Sequence, residues 1–408
     1  MSIHHDYDVL IAGGGMVGAS LACALGGQAL RVGVIEAVPF NSAGQPSYDE
    51  RTIALAYGTR RIFSAMGVWS HLRQDANPIE KIHVSDRGHF GALRMDCAKE
   101  HVEALGYVVA GRALGGALMQ TLEGHANITL LCPARLEGLE TTAESVHVTL
   151  DQGGERRHLT ARLLIGADGG NSAVRNMLAI PVRQWNYGQS AVIANITPGR
   201  PHGNVAYERF TEGGPLAVLP MTEGRCAMVW TGRTEDAEAN MVLDDSRFLA
   251  ALQEHFGYRL GRFVKVGRRS IYPLQLIRAR EHTRQRIALI GNAAHTLHPV
   301  AGQGFNLGLR DVAALADLLL AAAGQGRDPG GPQVLRQYSQ WRRRDHLRAI
   351  AFTDGLVRIF SNGYAPLVLA RNLGMTTLDL MPCIKHGVIA AAMGVSGRLP
   401  RLARETSL

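Results

Sequence analysis

The chain begins with a short apolar run closed by glycine, YDVLIAG at 7–13, and this pattern predicts a buried strand. GGMVGASLACALGG follows with small and apolar residues at helical spacing, and RVGVIEA at 31–37 is a second apolar run. Together they have the size and order of a strand–helix–strand crossover. A polar loop at 41–49 leads into TIALAYGTRRIFSAMG, which reads as a helix. The pattern then switches to alternation around 79–94, in KIHVSDRGHFGALRM. Alternation returns over 182–272, in VIANI, VAYERF, LAVLPM and CAMVWTG, separated by turns rich in Gly or Pro. One face buried and one face polar is the signature of a mostly antiparallel sheet. ITLLCPARLEGLE, VHVTLDQ and ARLLIGAD read as further strands. RIALIG is another buried strand and FNLGLRDVAALADLLLAAA a long helix. The region 338–392 is helical, with Pro366 at a first-turn position.

These elements predict an α/β with α+β architecture. A discontinuous Rossmann-like nucleotide-binding domain occupies 1–75, 101–181 and 276–337. A mostly antiparallel β-sheet substrate domain at 76–100 and 182–275 interrupts it twice, and 338–408 forms a helical C-terminal region.

Composition narrows the function. The 408 residues are 46% hydrophobic and 19% charged, ordinary for a large core. The net charge of +8 and pI near 9.5 favour anionic partners. The positive residues are nearly all Arg and are scattered, and the one dense cluster, Arg342-Arg343-Arg344, is interrupted by Asp345. Without a basic stripe and interleaved aromatics, nucleic acid is not the expected partner, and most of this charge reads as solvated surface. Cys23, Cys97, Cys132, Cys226 and Cys383 form no closely spaced pair. No metal site or disulfide framework is expected, and reduced thiols point to the cytoplasm. The stretch 9–30 lacks charge but is rich in Gly and preceded by Asp6 and Asp8, so it reads as neither a membrane span nor a signal peptide.

Three motifs carry the chemistry. Gly13-x-Gly15-x-x-Gly18 lies between a strand and a helix, the context in which glycines let a pyrophosphate approach a helix N-terminus. Glu36 ends the next strand, where a carboxylate can bind ribose hydroxyls and would repel a 2′-phosphate; FAD or NAD fits. IGADGGNSAVR at 165–175 places Asp168-Gly169 at a strand end and Ser172 at a helix start. LIGNAAHTLHPVAGQGFNLGLRD at 289–311 crowds Gly291, Asn292, Pro299, Gly302, Gln303, Gly304 and Asn306 between a strand and a helix.

GADGxxSxxR followed by GNAAHxxxPxxGQGxN resembles the aromatic-ring flavoprotein monooxygenases, the para-hydroxybenzoate-hydroxylase-like family. The segments RTIALAYGTRR, ERFTEGGPLAVLPM and APLVLARNLG look like its ubiquinone-biosynthesis hydroxylase branch, most of all the enzymes acting on 2-polyprenyl-6-methoxyphenol. The resemblance covers nearly the whole chain. It implies FAD, O2 and an external electron donor such as NAD(P)H, with hydroxylation of a polyprenylated phenol through a flavin hydroperoxide. It makes Gly302, Gln303 and Gly304 the backbone donors beneath the flavin, with Pro299 stiffening the loop and Asn306 adding a side-chain donor. Arg51 matches the family's arginine at this point and can reach the cofactor, a surface salt bridge being the alternative. The family has Asp where Asn292 stands; an amide keeps an acceptor for the ribityl chain and loses the charge. Arg112 falls one position off the family pattern and receives no role.

No general base is assigned. His295 reads as a structural histidine of the loop. Leu219, Met221 and Trp230 are candidates to line an apolar substrate groove, with ordinary core as the plainer reading. The apolar C-terminal helices offer a surface for peripheral contact at the inner membrane face or for partners in a ubiquinone-biosynthesis complex. The rival readings are a sister hydroxylase acting at another ring position and a catalytically silent, flavin-loaded scaffold subunit. An NAD dehydrogenase accounts only for the first motif, and a flavin halogenase lacks its WxWxIP segment here.

Overall fold

A computed structural model describes residues 5–40, 51–298, 302–360 and 364–404. The expected loop at 41–49 and Pro299 lie outside the described residues. The strand Tyr7–Ala12 runs parallel to Val32–Ile35 on one side and to the end of Glu155–Gly166 on the other. Ile128–Leu131 and Ile287–Leu289 extend this sheet at its two sides, also in parallel. The helices Met16–Leu25, Gly111–Glu123 and Gln303–Gly324 share one core with the strand residues Val9, Ile11, Leu163 and Ile165. Leu10, Leu164 and Leu289 belong to a second core on the other face. Burial on both faces is why these strands read as unbroken apolar runs.

The second sheet is built around the long strand Val182–Pro198, flanked antiparallel by Ser270–Ala279 and Cys226–Arg233. It continues through Gly214–Pro220 and Val205–Thr211 to Lys81–Asp86 and Ala92–Asp96. Its outer face packs on the helices Thr234–Met241 and Asp245–Phe256. Its inner face turns toward the flavin-motif domain and the helices Pro332–Phe360, Ala365–Leu380 and Pro382–Ala392. Pro366 sits in the first turn of its helix, as its missing N–H permits.

Two elements depart from the sequence expectation. The 52–67 segment divides into a strand, Thr52–Ala56, and a shorter helix, Tyr57–Ala65. The strand pairs antiparallel with Gly106–Ala110, which also pairs with Asn77–Ile79. Pairing with a distant partner overrides the local helical pattern. His295–Thr296 forms a two-residue strand on Ile277–Arg278, so the third motif is hydrogen-bonded to the second sheet.

Candidate active site

The first motif is held open by backbone proximity. Gly13 has φ of +100°, and a Cβ there would stand 2.7 Å from the Ala167 carbonyl oxygen. At Gly18 a Cβ would lie 1.9 Å from the Gly13 oxygen. Only glycine fits either position. Gly15 precedes the helix Met16–Leu25. The Glu36 carboxylate accepts the Gly14 N–H at 2.7 Å through one oxygen and the Val38 N–H at 2.9 Å through the other. Each oxygen has a second lone pair, so Glu36 braces the turn and keeps acceptor capacity.

In the second motif, Asp168 Oδ2 accepts the Val174 N–H at 3.0 Å, while Oδ1 is buried with no partner among the described residues. A buried acceptor left unsatisfied is costly, and a ligand donor would relieve it. Gly169 follows with φ of +80°. Ser172 caps the helix Ala173–Met177 by accepting the Arg175 N–H at 3.0 Å. The buried Arg175 guanidinium donates to the Gly170 and Ala293 carbonyls at 2.6 and 3.1 Å, joining the second motif to the third.

In the third motif, Gly291 has φ of +57° and packs against Val17 of the first-motif helix; Asn292 is exposed beside it. Gly302 is left-handed, at φ of +60°, and opens the helix Gln303–Gly324 two residues before the expected start. A Cβ on Gly302 would meet Ala54 at 3.0 Å, whereas a Cβ on Gly304 would meet nothing within 4 Å among the described residues. The start of this helix is therefore clear of the other described residues on the Gly304 side. Asn306 differs from its expected role as a cofactor donor. Its amide donates to the Ala54 and Gly302 carbonyls, and its oxygen accepts from the Ala56 N–H and the Thr59 hydroxyl. Both amide hydrogens are used within the protein, so Asn306 clasps the small sheet to the start of the helix. The Arg51 guanidinium stacks over the Tyr272 ring, 5.3 Å from its centroid.

Leu219 and Met221 belong to the inner face of the second sheet, packed with Ile79, Val108, Ala206 and Ala227. Trp230 points the other way, into the outer core beside Phe248, and lines nothing on the inner face.

Beneath the third motif lies a charged network that sequence reasoning missed. The fully buried Asp311 carboxylate accepts from the Gly291 N–H (3.2 Å), His295 Nε2 (2.8 Å), Arg342 Nε (2.7 Å) and His346 Nε2 (2.6 Å). Burial opposes its ionisation, but His346, Arg342 and His295 together hold its carboxyl well below the ordinary range. Arg342 also meets Asp345 at 2.6 Å. Burial pushes His346 down to about 3 and His282 down to about 4, so both are neutral. With Nε2–H given to Asp311, His346 Nδ1 is an acceptor, and His282 Nδ1 donates to it at 3.1 Å. His295, Asp311 and His346 place three potential ligand atoms within 4.8 Å of one another. The Arg342 guanidinium already occupies the carboxylate and would repel a cation there. The signal was present: Tyr338, Arg342, His346 and Ala349 fall on one buried helical stripe.

These features suit a dinucleotide cofactor. Comparison with known proteins agrees. Residues 6–353 match a family described as an FAD-binding domain. A ubiquinone hydroxylase of Rhodospirillum rubrum, UbiL, is 40% identical over 98% of this chain and 93% of its own. The 3-demethoxyubiquinol 3-hydroxylase of Escherichia coli is 33% identical over 95% of this chain and 98% of its own. In fold, the chain is similar to p-nitrophenol 4-monooxygenase PnpA of Pseudomonas putida. That match has a TM-score of 0.79 over 96% of this chain and 98% of that one, at 19% identity. The chain therefore belongs to the FAD-binding-domain family of FAD-dependent monooxygenases, and FAD is its cofactor.

Proposed function

We propose that the protein hydroxylates a polyprenylated phenol of ubiquinone biosynthesis, 2-polyprenyl-6-methoxyphenol, with O2 and NAD(P)H as co-substrates. The observation that carries this reading is the space beside Gly304, clear of every described residue, in a chain whose second sheet has an apolar inner face packed from Leu219, Met221, Ala206 and Ala227. Two relatives that align over almost the whole chain carry names of ubiquinone-pathway hydroxylases, which supports the pathway.

Bound FAD, once reduced, supplies the activation of O2 for transfer of one oxygen atom to the ring. The chain's part is placement and electrostatics. Gly13, Gly15, Gly18 and Glu36 would hold the adenosine diphosphate half, and Asp168, Gly169, Gly291 and Asn292 the linking chain. The amides of Gly302, Gln303 and Gly304, at a helix N-terminus, would favour negative charge on the flavin's edge. Arg51, stacked on Tyr272, stands where the small sheet meets the inner face. An apolar groove would be worth about 0.8 kcal/mol per buried CH₂ of the prenyl tail. Leu369, Leu373, Leu380, Met381 and Ile384 are exposed on the C-terminal helices and give a surface for peripheral membrane contact. No helix among the described residues is long and apolar enough to cross a membrane.

The test is anaerobic loading with FAD, then aerobic assay with a short-chain 2-prenyl-6-methoxyphenol. Phenol-dependent NAD(P)H oxidation and a product one oxygen atom heavier are expected, with the position read by NMR. Flavin binding with no such turnover on any ring-substituted prenylphenol would instead favour a silent scaffold subunit.

A further inference from the structure

Glu208 lies on the strand Val205–Thr211, in the middle of the second sheet. Its neighbours in the chain, Tyr207 and Arg209, face outward, and Tyr207 packs edge-on against Phe256 at 5.4 Å. By strand alternation Glu208 faces inward. It has no hydrogen bond or ion pair among the described residues. A carboxylate pointed into an interior without a partner is expensive and is retained for a reason.

The surroundings form a hollow. Directly across from Glu208 stand Val84 and Ala217, followed in the same row by Val229 and Ile193. All are apolar, and all, like Glu208 itself, are only half-buried although the sheet is covered on this face. Packing closes the hollow on both sides. Two residues before Glu208, Ala206 packs with Val108 and Ile79; two residues after it, Phe210 stacks on Phe360 with ring centroids 3.7 Å apart.

One wall of the hollow adjoins the flavin turn. Val108 pairs with Ala54, and Ala54 is the residue a Cβ on Gly302 would touch. From the other wall, Val84 packs with Met393, whose carbonyl accepts the Gly58 N–H at 2.8 Å at the start of the helix beside Asn306. The walls around the unpartnered carboxylate thus lead to the residues beside Gly302 and Asn306.

We propose that Glu208 is the proton acceptor for the substrate's phenol hydroxyl. The inference rests on the phenol hydroxylase reading above. The phenol O–H bond breaks, the proton goes to a Glu208 oxygen, and the electron pair stays on the phenol oxygen. Delocalised into the ring, that pair makes the ortho and para carbons better nucleophiles toward the oxygen delivered from O2 and the reduced flavin.

Burial alone lifts the Glu208 carboxyl to about 7, close to working pH, where a general base is most effective. The charged groups of the surrounding elements are engaged elsewhere. Asp86 is held by Arg371 and Asn372, Arg358 by Asp354, Lys385 by Asp379 and His386 by Glu100. Arg51 lies over Tyr272, and Tyr57 belongs to the apolar wall.

The experiment compares FAD-loaded wild type, E208Q and E208D with 2-prenyl-6-methoxyphenol, its methyl ether, and an unprenylated 2-methoxyphenol. Without reductant, binding of the phenols to wild type should produce a phenolate absorbance band that rises through pH 7. E208Q should lose the band, E208D should keep a weaker one, and the ether should bind all three alike. Under turnover, kcat/KM of wild type should rise through an inflection near pH 7; E208Q should be flat and lower by about 10²–10⁴-fold. FAD content and melting temperature check that the variants fold. If E208Q keeps the phenolate band, pH profile and rate on the prenylated phenol, this assignment fails and the substrate reading stands. If wild type acts only on the unprenylated phenol and loses that in E208Q, the substrate reading fails and the assignment stands.

Discussion

Asp311→Asn should destabilise the fold by about 3 kcal/mol, the lower end of the range for breaking a buried ion pair. In the wild type four N–H donors converge on one carboxylate, from Gly291, His295, Arg342 and His346. An asparagine offers one oxygen to those four, and its own NH₂ must point at two of them. The Arg342 guanidinium also loses its partner at 2.7 Å in a site with almost no solvent access. Asp345, at 2.6 Å, still neutralises part of it, which is why the cost belongs near the bottom of that range. A domain with a total stability of about 5–15 kcal/mol survives this loss but unfolds earlier. Urea unfolding followed by tryptophan fluorescence at pH 7.5 measures it. Adding Arg342→Met should return part of the loss, because the uncompensated charge goes with it, giving a coupling of about 1–3 kcal/mol in the double-mutant cycle. FAD occupancy should fall as well, since the Gly291 turn loses its anchor. A cost for Asp311→Asn below about 1 kcal/mol, or strict additivity with Arg342→Met, would refute the view that the third motif rests on this ion pair.

Gly304→Ala should leave the melting temperature of apoprotein unchanged or slightly higher, since a Cβ meets nothing there, yet weaken FAD binding at least tenfold in a fluorescence titration. Equal FAD affinity would mean the open space is not the cofactor's. Gly18→Ala should do the opposite, costing about 1–3 kcal/mol in the apoprotein because its Cβ would overlap the Gly13 oxygen. Stability should also fall as pH drops. His346, His282 and His298 are lowered by burial to about 3, 4 and 4, below the unfolded value of 6.5, so the unfolded chain binds more protons between pH 6.5 and 4. A chemical-denaturation series flat across that window would contradict the buried, neutral histidines. Glu208 runs the other way: held high when folded, it should cost stability above pH 5, and E208Q should melt higher than wild type at pH 8 but not at pH 4.5.

The sequence by itself determined what depends on neighbours in the chain. The glycines at 13, 15 and 18, the apolar runs around them and the alternation over 182–272 fixed a nucleotide-binding crossover and an antiparallel sheet, because backbone clearance and burial periodicity are local properties. It also placed Asp168, Gly291 and Gly302 at turns. The tertiary structure decided everything that depends on who meets whom. Thr52–Ala56 became a strand because Gly106–Ala110 was there to pair with it. Asn306 turned its amide to Ala54 and Gly302, a choice no local pattern encodes. Trp230 and Leu219 lie on neighbouring strands, yet face opposite ways: Leu219 stands three residues beyond Leu216, the partner of Trp230, and an odd offset reverses a side chain. Arg342 looked like one member of a solvated basic run and is instead sealed against Asp311, 31 residues away in sequence, where charge is stable only because its partner is present. Glu208 opens the segment ERFTEGGPLAVLPM, yet nothing in its local pattern marks it as unpaired. Its isolation comes from which apolar surfaces close around it, and those are brought together by folding alone.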